Sequence, residues 1–235
     1  MSFQDHSQAL RAELARERSI LRNVYLWMTL GLAITGVAAW YVANNQTLYQ
    51  AITTNRALFF GLVIAELMLV FTISRRVQTM RPEIATLAFA AYSVLNGATL
   101  SVILRSFAGV LVAQAFFVTA GTFAALSIYA LTTKRELGGM GQYLFAGLIG
   151  LIIASVVNVF VRSSGFDMLI SYAGVVIFMG LTAYDTQMIK RWSAELSSNA
   201  SEADYVRISI LGALRLYLDF INMFLFILRI LGNRR

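Results

Sequence analysis

Long apolar runs, separated by short polar segments, dominate the chain after residue 23. Each run has about 18 residues or more and few charges, which is typical of a membrane-spanning helix. The pattern therefore predicts an all-α membrane protein, a bundle of seven transmembrane helices. The runs cover about residues 24–43, 57–74, 84–104, 107–131, 143–161, 168–189 and 206–231.

Polar segments flank this predicted membrane domain, which covers residues 24–231. Residues 1–23 are charged, with leucines at near-helical spacing, and predict a tail that contains a short amphipathic helix at the membrane boundary. Residues 232–235 form a basic C-terminal tail. The single proline, Pro82, precedes the third run and fits the first turn of a helix, where its missing N–H costs no hydrogen bond.

Composition agrees with a membrane protein and excludes several kinds of chemistry. Of the 235 residues, 58% are hydrophobic and only 13% are charged, far from the average of soluble domains. The chain has no cysteine, and its one histidine, His6, lies in the polar tail. Thiolate catalysis and cysteine or histidine metal sites are therefore not expected, and we expect no resident cofactor.

The distribution of basic residues predicts the topology. The net charge of +7 comes from short Lys and Arg clusters between the apolar runs. Such clusters are typical of topology signals rather than of a nucleic-acid interface, so no nucleic-acid partner is expected. With seven spans, twelve Lys and Arg lie on the side of the N-terminus and six on the other side. This predicts a cytoplasmic N-terminus, and a re-entrant last segment would place both ends inside.

Four charged residues lie within the predicted spans and more than three residues from their ends, where a charge costs roughly 2.5–3.5 kcal/mol on insertion scales. The sixth and seventh runs are consecutive and antiparallel, so the two aspartates that they carry could lie close together on the cytoplasmic side. Glu66, the acid on the second run, could equally be a structural hydrogen-bonding group. The four residues are Glu66, Asp185, Arg215 and Asp219.

Two neighbouring carboxyl groups in a medium of low polarity cannot easily both ionise, so they would share a proton and titrate as a pair. Such a pair can sense pH, and when ionised it offers the hard oxygen ligands that Ca²⁺ prefers. The alternatives are that Asp185 ends a helix at the membrane surface and that Arg215 neutralises Asp219, four residues later on the same face.

Amide side chains within the spans are expected to make hydrogen bonds between helices, because few other partners are available in lipid. One of them lies three residues after Asp219, near the face that carries the aspartate. These residues are Asn96, Asn158 and Asn222.

Two motifs around the aspartates resemble the signature of the Bax inhibitor-1 (transmembrane Bax inhibitor motif) family. They are residues 180–187, GLTAYDTQ, and residues 216–222, LYLDFIN. Residues 92–97, YSVLNG, and 127–135, SIYALTTKR, support the resemblance, which extends over about residues 24–232. The short tails and loops are similar to those of the bacterial branch, which implies a multi-pass protein of the bacterial inner membrane.

The resemblance implies a bundle whose last helix is central, and a pH-sensitive leak of Ca²⁺ across the membrane. Asp185 and Asp219 match the family's pair of sensor aspartates, which would contact H⁺ and, transiently, Ca²⁺. A basic residue at the inner end of the second helix, Arg75 or Arg76, would act as a latch on Asp185. Glu66 matches an acid that some relatives carry on the second helix.

Arg215 departs from the family pattern, in which a small uncharged residue is expected one turn before the last aspartate. A cation at this position would favour the ionised form of the aspartate pair. It could therefore weaken the acid response or replace the latch.

A second class of function is a regulatory membrane protein that acts through partners. The resemblance includes bacterial relatives linked to the membrane AAA protease FtsH and eukaryotic ones linked to cell death. Residues 1–23 and the polar stretch 190–205 are the segments that a partner would reach.

Two further classes are disfavoured. A retinal protein needs a lysine within a span, and the two lysines, Lys134 and Lys190, lie at span ends. The chain also lacks the Gly-x-Gly-Asp context of paired-aspartate membrane proteases, so we do not expect an enzyme.

Overall fold

The computed structural model describes residues 3–196 and 200–233, with side chains from Arg18 onward. Within these ranges the fold is helical and has no strand. The helices are α1 (Phe3–Asn44), α2 (Gln46–Thr54), α3 (Arg56–Arg76), α4 (Pro82–Leu104), α5 (Gly109–Thr132), α6 (Gly141–Val161), α7 (Ser164–Glu195) and α8 (Glu202–Gly232), with a 3₁₀ turn at Gly138–Met140 before α6.

The seven predicted spans are confirmed: among the described residues, seven helices are long and apolar enough to cross a membrane, namely α3 to α8 and the Arg18–Asn44 part of α1. Most of the large side chains on α3 and α6 are exposed, as expected of surfaces that contact lipid. As predicted, α4 begins at Pro82.

Helix bounds differ from the sequence pattern at three places. Helix α1 continues without a break from Phe3, because neither glycine nor proline interrupts residues 3–30. Helix α7 extends to Glu195 and α8 begins at Glu202, so most of the polar stretch 190–205 is helical rather than a loop.

The third difference is α2, a short helix that the apolar pattern does not contain. Asn45 begins it, because its side-chain oxygen accepts a hydrogen bond from the N–H of Leu48 at 3.1 Å. Asn55 follows the last residue of α2 and is the N-cap of α3. Its side-chain oxygen accepts a hydrogen bond from the N–H of Leu58 at 3.1 Å. Two asparagine caps thus organise the polar segment between the first two spans.

The described residues form two compact units. The first comprises the chain up to Ser106 together with Ile189–Tyr217, and the second comprises Phe107–Met188 together with the chain from Leu218. In the first unit, α1 and α4 approach so closely that a Cβ on Gly97 would lie 2.5 Å from the Thr35 carbonyl oxygen.

In the second unit, Phe220 of α8 packs against two aromatic rings of α5. Its centroid lies 5.7 Å from that of Phe116 and 5.6 Å from that of Phe123, both in edge-on geometry. A stacked pair, Phe178 and Phe226, joins α7 to α8 with centroids 6.0 Å apart.

Helix α8 is the most buried of the described spans. In its most apolar stretch of 18 residues 67% are buried, against 39% or fewer in each of the other spans. A central position of this helix in the whole bundle remains a prediction.

Candidate functional site

Asp185 and Asp219 are both buried and both belong to the second unit. Asp185 lies on α7 and is 6% exposed, and Asp219 lies on α8 and is 4% exposed. A carboxyl group removed from water in this way must be neutral, paired or hydrogen-bonded. The structure thus places neither aspartate at a water-exposed helix end.

The register of each helix explains this burial. On α7, buried side chains recur at spacings of four and three residues, at Phe178, Thr182 and Asp185, which lie on one helical face. On α8, Asp219 shares a face with Leu216 and Met223, which are 1% and 0% exposed. Both aspartates therefore occupy positions that a soluble helix would give to apolar core residues.

Gln187, two residues after Asp185, holds the connection between α5 and α6. Its side-chain oxygen accepts a hydrogen bond from the N–H of Leu137 at 2.6 Å, and its amide nitrogen donates to the Arg135 carbonyl at 2.9 Å. About one turn earlier on α7, the Tyr184 ring lies where a Cβ on Gly141 would be, with atoms 2.6 Å from that position. The connection from Thr133 to Gly141 therefore packs on α7 at Tyr184 and Gln187.

Arg215, the predicted charge partner of Asp219, contacts an aromatic ring. Its guanidinium carbon lies 5.2 Å from the centroid of the Trp192 ring, which is within the range of a cation–π interaction. The side chain is half-buried. The ring contact stabilises the positive charge of this intramembrane side chain within the first unit.

The predicted latch residues, Arg75 and Arg76, form the exposed last turn of α3. The guanidinium of Arg75 lies 4.6 Å from the centroid of Phe71 on its own helix. A latch between either arginine and Asp185 remains a prediction.

Glu66 is half-buried on α3 and accepts two hydrogen bonds from α4. The Thr99 hydroxyl donates to one carboxylate oxygen at 2.8 Å, and the Asn96 amide donates to the other at 3.3 Å. The side-chain oxygen of Asn96 in turn accepts from the Tyr217 hydroxyl at 3.1 Å. Glu66 thus belongs to a polar network between helices, and the sequence did not indicate Tyr217 as a member.

The remaining amide predictions have different outcomes. Asn158 of α6 donates to Asp167 of α7 at 3.3 Å, a bond between helices, and Asp167 also accepts from Arg229 of α8 at 3.2 Å. Asn222 is half-buried, and its amide donates to the Leu218 carbonyl within α8 at 2.8 Å.

Carboxylate and amide oxygens are the groups that could contact a cation in the second unit. Within residues 18–196 and 200–233, no three His, Cys, Asp or Glu side chains are grouped so that they could hold a metal ion. Asp185 and Asp219 supply two carboxyl groups, fewer than the six to eight oxygens around a firmly bound Ca²⁺.

Seven apolar helices with two buried aspartates define a multi-pass α-helical membrane protein. A family model described as inhibitor of apoptosis-promoting Bax1 matches residues 17–235. The chain therefore belongs to the Bax inhibitor-1 family.

Several relatives are bacterial proteins that are similar to this chain along nearly their whole length. The inner membrane protein YbhL of Escherichia coli strain K12 is 44% identical over 218 residues, which are 93% of each chain. An uncharacterized protein of Borreliella burgdorferi is 41% identical over 225 residues, 96% of each chain. One of Deinococcus radiodurans is 39% identical over 234 residues, 100% of this chain and 98% of its own. The similarity supports a bacterial inner-membrane protein, and the side of its N-terminus remains a prediction.

Proposed function

We propose that the protein is a pH-sensitive leak pathway for Ca²⁺, gated by protonation of Asp185 and Asp219. The observation that carries the proposal is the burial of both carboxyl groups, at 6% and 4% exposure, in one unit of a membrane domain. Carboxyl groups are costly within a bilayer and usually mark an ion or proton pathway there. Membership of the Bax inhibitor-1 family supports the proposal.

The two protonation states of the aspartates would differ in their attraction for a divalent cation. When ionised, the pair presents negative charge and hard oxygen ligands to Ca²⁺. When protonated, it loses this charge, and the burial of the neutral side chains no longer costs an ion's hydration energy. Because the two groups would interact, they would titrate together over a broad pH range.

Calcium flux into proteoliposomes, measured across pH, tests this function. Replacing the carboxyl groups, one at a time and together, as Asp185→Asn and Asp219→Asn, keeps side-chain size and removes the titrating proton. We expect each single variant to flatten the pH dependence of the flux and the double variant to abolish it.

The control variant is Glu83→Gln, which removes the same charge from a side chain that is 68% exposed. We expect the flux and pH profile of this control to match those of the unaltered protein. A double aspartate variant with the same flux at every pH as the unaltered protein would rule out the aspartate gate.

A second candidate function is regulation through a protein partner. The observation that favours it is the continuation of α1 to Phe3, beyond the membrane-spanning part Arg18–Asn44. A helix that leaves the membrane can dock on another protein, and a membrane AAA protease such as FtsH is the partner that we would test first.

Deleting residues 3–17 separates the two candidates. Loss of co-purification with FtsH while Ca²⁺ flux stays intact would support the partner function. Unchanged co-purification would assign no docking role to this helix.

A further inference from the structure

A chain of side-chain hydrogen bonds crosses the first unit and joins four helices. Glu66 of α3 contacts Asn96 of α4 at 3.3 Å, and Asn96 contacts the Tyr217 hydroxyl of α8 at 3.1 Å. The Tyr217 hydroxyl lies 2.6 Å from the Thr35 hydroxyl of α1. Thr35 ends the chain, 2.9 Å from the carbonyl oxygens of both Gly31 and Ser93.

The chain is buried everywhere except at Glu66. Tyr217 is 0% exposed, Thr35 is 3% and Asn96 is 9%, whereas Glu66 is half-buried on a helix whose surface is mostly exposed. Each hydroxyl has one hydrogen to donate, and an ionised carboxylate can only accept. The protonation state of Glu66 therefore restricts the direction of every other bond in the chain.

When Glu66 is ionised, the bonds all point toward α3. The Asn96 amide nitrogen donates to the carboxylate, so the Asn96 oxygen accepts from Tyr217. Having used its hydrogen, the Tyr217 oxygen accepts from Thr35. The single hydrogen of the Thr35 hydroxyl is then not donated to the carbonyls of Gly31 and Ser93.

When Glu66 is protonated, the same contacts allow the opposite direction. The carboxyl O–H donates to the Asn96 oxygen after a half-turn of the amide, which exchanges the positions of its oxygen and nitrogen. The Asn96 nitrogen then donates to Tyr217, and Tyr217 donates to Thr35. The hydroxyl of Thr35 completes the chain by donating to the carbonyl of Gly31 or Ser93, both already within reach.

We propose that Glu66 is a proton-binding site in its own right, and that its protonation reverses the hydrogen-bond chain Glu66–Asn96–Tyr217–Thr35. The site consists of residues of the first unit, and the proposal does not depend on the aspartate pair. It assigns Glu66 a role as a proton acceptor whose state is transmitted from α3 through α4 and α8 to α1.

The groups that face this chain are compatible with such a role. On α4, Thr99 donates to the carboxylate at 2.8 Å, and the hydroxyl of Tyr92 lies 3.5 Å from the Asn96 nitrogen. Tyr92 and Tyr217 are the titratable groups that face the chain from α4 and α8, and α1 contributes the neutral hydroxyl of Thr35. Neither tyrosine ionises near neutral pH, so the proposal assigns the proton to Glu66.

Infrared difference spectra between neutral and acidic pH test the proposal on the full chain in lipid. The background is the double variant Asp185→Asn with Asp219→Asn, which removes the carboxyl bands of the aspartate pair. In this background we expect a C=O band of a protonated buried carboxyl group that disappears in Glu66→Gln. Persistence of that band in Glu66→Gln would overturn the assignment of the proton to Glu66.

Variants at the far end of the chain test the reversal. We expect Thr35→Val, three bonds from the carboxyl group, to shift the band, and Thr35→Ser to restore its position. Tyr217→Phe, which keeps the ring contacts with Phe89 and Tyr92, should shift the band as well.

The matched control is Thr29→Val on the same helix, because the Thr29 hydroxyl donates to the Tyr25 carbonyl on an exposed face. We expect this control to leave the band unshifted.

If Tyr217→Phe does not fold, Thr35→Val and Thr35→Ser still decide the test. An unshifted band in Thr35→Val would show that the chain does not reverse. The aspartate variants already form the background, so failure of the Ca²⁺ gate would leave this result unaffected.

Discussion

The guanidinium group of Arg215 lies over the indole ring of Trp192, 5.2 Å from the ring centroid. The contact joins α8 to the last turns of α7 within the first unit. A cation–π contact of this kind contributes about 0.5–2 kcal/mol, more when water is excluded. Arg215 also stands four residues, or about one helical turn, before Asp219. The contact with Trp192 therefore stabilises a positive charge on the same helix as Asp219 and one turn before it.

Replacing this cation tests its influence on the proposed gate. A nearby positive charge favours ionised carboxyl groups, so without it the aspartate pair should keep its proton to higher pH. We expect Arg215→Gln to move the midpoint of the flux–pH curve upward by roughly one pH unit, as measured by Ca²⁺ flux in proteoliposomes.

Arg81→Gln is the control for Arg215→Gln, because the Arg81 side chain is 79% exposed and its charge is screened by water. The control should leave the midpoint unchanged. A midpoint that stays in place, or moves to lower pH, in Arg215→Gln would contradict the influence of this charge on the aspartate pair.

Loss of the Gln187 side chain should loosen the connection between α5 and α6. Gln187→Leu leaves the buried N–H of Leu137 and the carbonyl of Arg135 without the amide that satisfies them. An unsatisfied group of this kind costs about 1–3 kcal/mol. We expect faster cleavage by trypsin after Lys134 and Arg135, which are exposed in this connection, and a lower unfolding midpoint.

The control for Gln187→Leu is Gln142→Leu, which changes an exposed glutamine in the first turn of α6. Equal cleavage rates in both variants would mean that the two hydrogen bonds of Gln187 do not hold the connection in place.

The approach of α1 to α4 depends on the absence of a side chain at Gly97. A Cβ at this position would lie 2.5 Å from the Thr35 carbonyl oxygen and 2.6 Å from the Ala38 Cβ. Backbone atoms cannot move aside unless the helix shifts, so Gly97→Ala should lower the unfolding free energy by about 1–3 kcal/mol or more. Unfolding of the purified protein in detergent measures this loss.

Gly36→Ala is the matched control, since a Cβ at Gly36, on the facing helix α1, would meet no atom within 4 Å. Alanine favours a helix more than glycine does, so this variant should be neutral or slightly stabilising. Equal stabilities of the two variants would show that the close approach at Gly97 is not required.

The spans and the two aspartates could be predicted because their signals are local. An apolar run of sufficient length must satisfy its backbone within a helix in lipid, whatever its neighbours are. Asp185 and Asp219 stood out because a carboxyl group within such a run is costly, and their burial agrees with that reasoning. Glu66 was recognised by the same signal, and its alternative role as a hydrogen-bonding group matches the contacts that it makes.

The other residues of the polar sites could not be recognised from the hydrophobic pattern of the sequence. Tyr217 and Thr35 are common residues of membrane helices, and only the packing of α1, α4 and α8 brings their hydroxyl groups within 2.6 Å. Gln187 was part of a recognisable motif, but its bonds reach residues about fifty positions earlier in the chain. Helix α2 was missed because its asparagine caps, not apolar periodicity, define its ends.

The sequence by itself thus determined that the chain is a seven-span helical membrane protein with acids in three of its spans. Hydrophobic length and the cost of buried charge act on each segment separately, so no knowledge of the fold was needed. Only the tertiary structure decided that Asp185 and Asp219 are buried in the same unit, that Arg215 contacts Trp192, and that Glu66 begins a chain of hydrogen bonds across four helices. Such partners depend on how helices that are distant in sequence rotate and pack, which a linear pattern of polarity does not specify.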